Sequence, residues 1–338
     1  MAGGESEQAT ATALPRIVPG AAIVPWDELG GTPHAVVDGP RLAGTVLALS
    51  HWPESGSPDE VAADTSAAIA DRYLAMDHGG PAVGVLTNNH FDEDGLLAMW
   101  LLVERPPPGP ERSLAIAAAA AGDFGTWEDS WAARAALAAM GMAERATTPF
   151  PEVMRALAPG AAADPAGALY RALVPRVGPL LRDPERYRRQ WEPAWRRVAE
   201  DRALLDAGDA RIDELPEADL AVLRTPRPLH PMAVNPLTDR MRVLTATPDG
   251  VLVLEHRYET WVRFVSRPLA PRVDLTPLCA RLQALERAPG HWVFDGVGDM
   301  RARLWLSTEA GSPGPSSLGA ERLAEELAGH VSSAAPGR

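Results

Sequence analysis

Residues 83–105 read VGVLTNNHFDEDGLLAMWLLVER, and the fold is decided by how this stretch divides. Residues 83–87 are apolar and rich in β-branched side chains, the pattern of a buried strand. Residues 88–95 form a polar loop, and residues 96–104 read as an apolar helix with Asp94 at its cap. Open α/β sheets place their ligands where a strand runs into a loop that opens a helix. Side chains two apart in an extended segment point the same way, so His90, Asp92 and Asp94 are expected to converge while Phe91 and Glu93 face elsewhere. One imidazole and two carboxylates suit a divalent cation such as Mn²⁺, Mg²⁺ or Zn²⁺. The competing reading makes Asp92 and Asp94 mere helix caps and His90 a loop residue. Capping needs one carboxylate, however, and leaves His90 and the Asn88–Asn89 pair unexplained. A calcium-binding EF-hand is excluded because its twelfth position, a bidentate Glu, falls on Leu101.

The flanking sequence repeats the theme. Upstream, residues 17–24 read as an edge strand broken by Pro19 and Gly20, and Val36–Val37 precede a turn at Asp38–Gly39–Pro40. TVLAL at 45–49 is a buried strand that ends in Ser50 and His51, and Asp64–Thr65–Ser66 come before a helix over 67–76. Downstream, residues 114–121 are read as a third buried strand, which delivers Asp123 to the same edge as His51 and His90, with a helix over 128–140 after it. Alternation of this kind predicts an α/β fold, a parallel sheet with flanking helices. His51 and His90 should then lie side by side at the ends of neighbouring strands.

Residues 1–14 and 332–338 are expected to be tails, 15–148 the α/β metal-site domain and 149–225 a helical segment whose arginines form a solvated face. Residues 226–331 read as a smaller α+β domain, with a hairpin turning at Pro248–Asp249–Gly250 and a proline-rich linker at 224–236.

At 338 residues and 46% hydrophobic content, the chain can bury a sizeable core. It shows no apolar run long enough for a membrane span and no secretory signal pattern, so a cytoplasmic location is expected. The single cysteine, Cys279, excludes an intramolecular disulfide and a cysteine-based zinc site. A net charge of −13 argues against a protein that grips long nucleic acid through its overall field. A small anionic substrate remains compatible, because a metal and a few arginines reverse the local sign. Gly-x-Ser-x-Gly, Gly-Lys-Ser/Thr and HExxH motifs do not occur, which leaves serine-hydrolase, P-loop and zincin readings unsupported.

VLTNNHFDEDGLLAMWLL resembles the first motif of the DHH phosphoesterase superfamily, and AAAAAGDFG is similar to its second, a lone metal-binding Asp. The Asp-His-His motif does not follow; LALSHWP supplies one histidine upstream, and DTSAAIADRYL resembles the helix start that follows the histidine pair, so the order is permuted. The resemblance, over residues 42–130, implies one or two Mn²⁺ ions held by His90, Asp92, Asp94 and Asp123. His51 would be a further ligand or general acid, and Asp64 a supporting carboxylate. A closing second lobe would supply substrate contacts through His230 and Arg240, with Asn89 of the central loop a further substrate-binding candidate. The activity implied is metal-dependent hydrolysis of a small phosphorylated or otherwise anionic substrate. The alternatives are a zinc-type amide hydrolase, a biosynthetic enzyme that uses the metal to orient its substrate, and a binding protein without turnover.

Overall fold

The computed structural model describes residues 13–161 and 165–333, in which two sheets carry separate cores. The first sheet is formed by β1 (Arg16–Ile23), β2 (His34–Val37), β3 (Thr45–Leu49) and β4 (Ala82–Thr87). All its pairs are parallel and the order is β1-β4-β2-β3. β2 lies between its neighbours with all four residues buried, as an apolar strand covered on both faces must be. β1 is at the edge, where the register shift between Ile17 and Ala22 accommodates Pro19 and Gly20.

Among the described residues seven α-helices accompany these strands, α1 (Ser66–Leu74) between β3 and β4, and after β4 α2 (Glu93–Glu104), α3 (Pro110–Phe124), α4 (Ser130–Met142), α5 (Pro151–Ala156), α6 (Ala166–Arg182) and α7 (Arg188–Ala207). Residues 96–102 of α2 are all buried, so this helix is apolar on every side because it runs through the core. Each large side chain there contributes roughly 1.5–3 kcal/mol through burial. The strand expected at 114–121 is instead the middle of α3. Alanine is the strongest helix former, Pro110 sits in the first turn, and Gly125 closes the helix in the left-handed region (φ 64°). Ala115, Ala118, Ala119 and Ala121 are buried, and such small side chains let α3 pack closely on α2 and α4.

The second sheet is mixed, in the order β5-β6-β7-β8-β10-β9. Its strands are β5 (Arg211–Leu215), β6 (Leu220–Arg224), β7 (Arg242–Ala246), β8 (Leu252–His256), β9 (His291–Phe294) and β10 (Arg303–Ser307). β6 and β7 are parallel and the other pairs antiparallel. Between them come the short α8 (Pro231–Val234) and α9 (Thr276–Leu285), and α10 (Gly319–Ser333) ends the described chain. The helical segment expected to reach residue 225 therefore stops at Ala207. β5 and β6 already belong to the second sheet, because their backbones pair with each other and β6 pairs with β7.

The proline-rich segment after β6 is not a free linker. Its Asn235 Nδ2 donates to the Phe124 carbonyl (2.7 Å), and Met232 O accepts from Trp127 Nε1 (2.9 Å). The His230 N–H donates to Asp201 (2.6 Å), which is fully buried on α7. The bonds to Phe124 and Trp127 tie the second lobe to the end of α3, the helix that carries Asp123, and the bond to Asp201 ties it to α7. The expected tails fall largely on residues 1–12 and 334–338, outside the described residues. No helix among the described residues is long and apolar enough to cross a membrane.

Candidate metal centre

Three parallel strands end side by side, and each exit supplies part of the centre. β2 ends at Asp38, β3 at His51 and β4 in the loop that holds His90 and Asp92. β3 and β4 are not neighbours as expected, since β2 lies between them. The two histidines meet through the residue that β2 contributes. His51 Nε2 is 3.4 Å from Asp38 Oδ1, and His90 Nε2 is 3.4 Å from Asp38 Oδ2.

Asp38 is the candidate ligand that sequence reasoning missed. VVDG reads as a strand followed by a turn, and the turn is real: Asp38 adopts a left-handed backbone (φ 53°), which Asp tolerates better than most residues. The available signal was that Asp38, like His51, directly follows a strand of the same sheet, with a carboxylate that nothing local claims. Gly39 follows because a Cβ there would lie 2.8 Å from Asn89 Oδ1.

The helix that starts in the central loop begins earlier than expected. Asp92 is its cap, accepting from Gly95 N at 2.8 Å, and Asp94 lies in the first turn. The Asp94 carboxylate accepts from the backbone N–H groups of Ser66 (2.6 Å) and Ala67 (2.7 Å), which places it on the positive N-terminal end of α1. Its Oδ2 is 3.8 Å from His51 Nε2. Ser66 Oγ donates to Asp38 Oδ1 (2.8 Å), so one helix start braces both carboxylates. Asp123 reaches the same point from the last turn of α3, with Oδ2 3.5 Å from His51 Nε2.

Candidate ligand atoms thus fall into two groups that share Asp38: Asp38, His51 and Asp94, all buried, and Asp38, His90 and Asp92. Each histidine is oriented by an acceptor on its other nitrogen. His51 Nδ1 donates to the Asp64 carbonyl (2.5 Å), which orients the ring so that Nε2 faces the carboxylates. His90 Nδ1 pairs with Asn89 Oδ1 (3.1 Å) and its Nε2 with Asp92 Oδ2 (2.8 Å).

Four carboxylates in one buried place are costly without cations. Among the described residues no arginine pairs with Asp38, Asp92, Asp94 or Asp123; their ion-pair partners are the two histidines. Burial and then repulsion by Asp38 push the Asp94 carboxyl up to about 7. Burial followed by repulsion from Asp94 pushes Asp123 well above the usual range. At Asp38 the burial penalty is outweighed by the bond from His51 and the charges of both histidines, which hold it below its ordinary value. His90 likewise overcomes its burial through Asp92 and rises to about 9. Asp38 Oδ2 and Asp123 Oδ2 are buried and make no hydrogen bond. Buried carboxylate oxygens without a hydrogen bond, gathered beside imidazole nitrogens, are what a divalent ion satisfies, so the donor set fits a metal.

The other expected site residues are placed differently. The Asp64 carboxylate turns away from the cluster to accept from the N–H groups of Val265 (2.7 Å) and Ser266 (2.9 Å); its carbonyl, not its side chain, serves the site. Asn89 orients His90. Glu93, expected to face elsewhere, lies against Gly122 and lines a cavity of about 380 Å³ beside Asp123. Burial, then the charge of Asp92, pushes the Glu93 carboxyl up to about 8. His230 also lines this cavity, as do Tyr258 and Arg301, and its Nδ1 accepts from Met232 N (3.1 Å). Arg240 is not part of the cavity wall, because it is 3.3 Å from Glu214 on β5.

No curated protein and no solved structure matches the chain. The model of a family of unknown function (DUF6687) matches residues 21–337, which takes in both lobes and every residue of the centre, and the chain belongs to that family.

Proposed function

We propose that this protein is a divalent-metal-dependent hydrolase, similar to DHH phosphoesterases, acting on a small phosphorylated or otherwise anionic substrate. The observation that carries this reading is the pair of ligand groups joined by Asp38, with Asp123 alongside. Asp38, Asp92, Asp94 and Asp123 would supply the negative charge to hold divalent cations, with His51 and His90 as nitrogen donors. Bound ions lower the pKa of a coordinated water and stabilise charge on a phosphoryl oxygen.

The chain's own residues prepare the site. The Asp64 carbonyl keeps the proton of His51 on Nδ1 so that Nε2 is free to bind. Ser66 and the first N–H groups of α1 hold Asp38 and Asp94 in place. The adjoining cavity, walled partly by Leu137, Met140, Val243 and Val253, shelters the substrate from bulk water and strengthens local charge interactions.

The test is the metal content of the purified protein by elemental analysis, together with turnover of bis(p-nitrophenyl) phosphate with added Mn²⁺. Bound metal and metal-dependent turnover are expected. A protein that binds no divalent ion under any loading condition overturns the reading, and bound zinc with amide but not phosphoester turnover redirects it to the amide class.

A further inference from the structure

We infer that Tyr258, from the second lobe, donates a hydrogen bond to the substrate oxygen bound at the metal centre, so that the first lobe's ligands do not complete the site alone. This inference rests on the metal-dependent reading above. Tyr258 Oη lies 3.4 Å from His51 Nε2, and the ring meets the imidazole edge-on with centroids 5.7 Å apart. The side chain also lines the cavity that Asp123 and Glu93 border.

The hydrogen-bond inventory identifies the nitrogen left to bind. His51 Nδ1 donates to the Asp64 carbonyl, so Nε2, the nitrogen that Tyr258 Oη faces, is the one available to an ion. An ion held by Nε2 would leave that nitrogen with neither a proton nor a lone pair for the phenol. The Tyr258 hydroxyl, 3.4 Å from Nε2, would then be placed to donate to a substrate oxygen bound there. A phenol, with an ordinary pKa of about 10, remains a donor at neutral pH, and it suits an oxyanion better than water does because the protein fixes its position.

That position is built from both lobes. The ring stacks on Trp261 (5.7 Å) and packs against Phe124 (6.2 Å) at the end of α3. Beneath it, the Arg257 N–H donates to Met241 O and Arg257 Nη1 to Thr238 O, each at 2.9 Å. The segment beyond is fastened to the loop that carries His51. The Arg263 N–H donates to the His51 carbonyl at 2.7 Å, and the N–H groups of Val265 and Ser266 hold the Asp64 carboxylate. The contacts that aim His51 therefore also register Tyr258 upon it.

The experiment compares the full-length wild type with Tyr258→Phe, which keeps the ring and removes only the donor. Mn²⁺ binding is titrated first, then inorganic phosphate is titrated into the Mn²⁺-loaded proteins by calorimetry. Mn²⁺ stoichiometry and affinity should match within about twofold, while phosphate affinity falls about tenfold or more, as for a lost hydrogen bond to a charged group. Equal phosphate affinity in the two proteins overturns the inference. So does a parallel loss of Mn²⁺ affinity, since Tyr258 would then act only by supporting His51. If the wild type binds neither Mn²⁺ nor any other divalent ion, the metal reading fails and this inference falls with it.

Discussion

His51 and His90 face opposite oxygens of one carboxylate, each Nε2 3.4 Å from Asp38, although the strands that carry them do not touch. The intervening β2 makes this possible by delivering Asp38 between them. Asp38→Asn should therefore affect both ligand groups at once. The amide can still accept from Ser66 Oγ but carries no charge, so divalent-metal affinity should fall by more than the roughly 10–100-fold typical of losing an outer-shell partner. Circular dichroism should be unchanged, and elemental analysis of the variant should find both ions depleted. Full metal content in Asp38→Asn would refute the shared-ligand arrangement.

Because the carboxylates repel one another, metal should stabilise the fold. At a free concentration about 100 times its Kd, an ion that binds only the folded state adds about 2.7 kcal/mol, which a thermal melt reads as a clear rise in Tm. EDTA should reverse the rise. A Tm that does not respond to millimolar Mn²⁺, Mg²⁺ or Zn²⁺ would contradict the assignment.

Gly95 offers a test in which two effects have opposite signs. It lies in the first turn of α2, where helix propensity alone favours alanine by about 1 kcal/mol. A Cβ at this position would overlap the Tyr170 hydroxyl and lie 2.7 Å from Asn88 Nδ2. Both groups are buried and bonded to each other at 2.8 Å, so the clash should win, with a net loss of about 1–3 kcal/mol in urea unfolding. Adding Tyr170→Phe should recover part of the loss; a Gly95→Ala protein as stable as wild type would show that the loop yields freely.

The second lobe should lose stability in acid through His256. Burial, reinforced by the nearby charges of Arg242 and Arg272, pushes its pKa down to about 3, and its Nε2 makes no hydrogen bond. Above the unfolded value near 6.5, His256 is neutral in both states and costs nothing. As pH falls from there towards 3, the unfolded chain takes up a proton that the folded one refuses. Stability then drops by up to about 1.4 kcal/mol per pH unit from this group. His256→Leu should flatten the slope of stability against pH between 6.5 and 4; identical slopes in variant and wild type would exclude His256 as its source.

Read in order, the sequence determined what is local. The HFDEDG loop, the strands at 45–49 and 83–87 and the mixed character of the second lobe, though not its start at β5, follow from side-chain period, turn residues and capping, which act over a few positions. The same local rules support α3, where a run of alanines favours a helix; reading it as a strand gave too much weight to apolar composition and too little to propensity. Asp123 is nevertheless placed beside His51, by the end of a helix instead of a strand.

Strand order was decided only in three dimensions. A parallel sheet is assembled from distant segments, and nothing within residues 34–37 states that β2 will lie between β3 and β4. That order alone turns Asp38 from a turn residue into the centre of the site. Tertiary packing also decided which side chains do not reach it: Asp64 is drawn off by the backbone at 265–266 and Arg240 by Glu214, partners remote in sequence. Residue type and spacing supplied the candidate ligands, while long-range pairing chose among them, because a buried charge settles where distant backbone and counter-charges compensate its lost hydration.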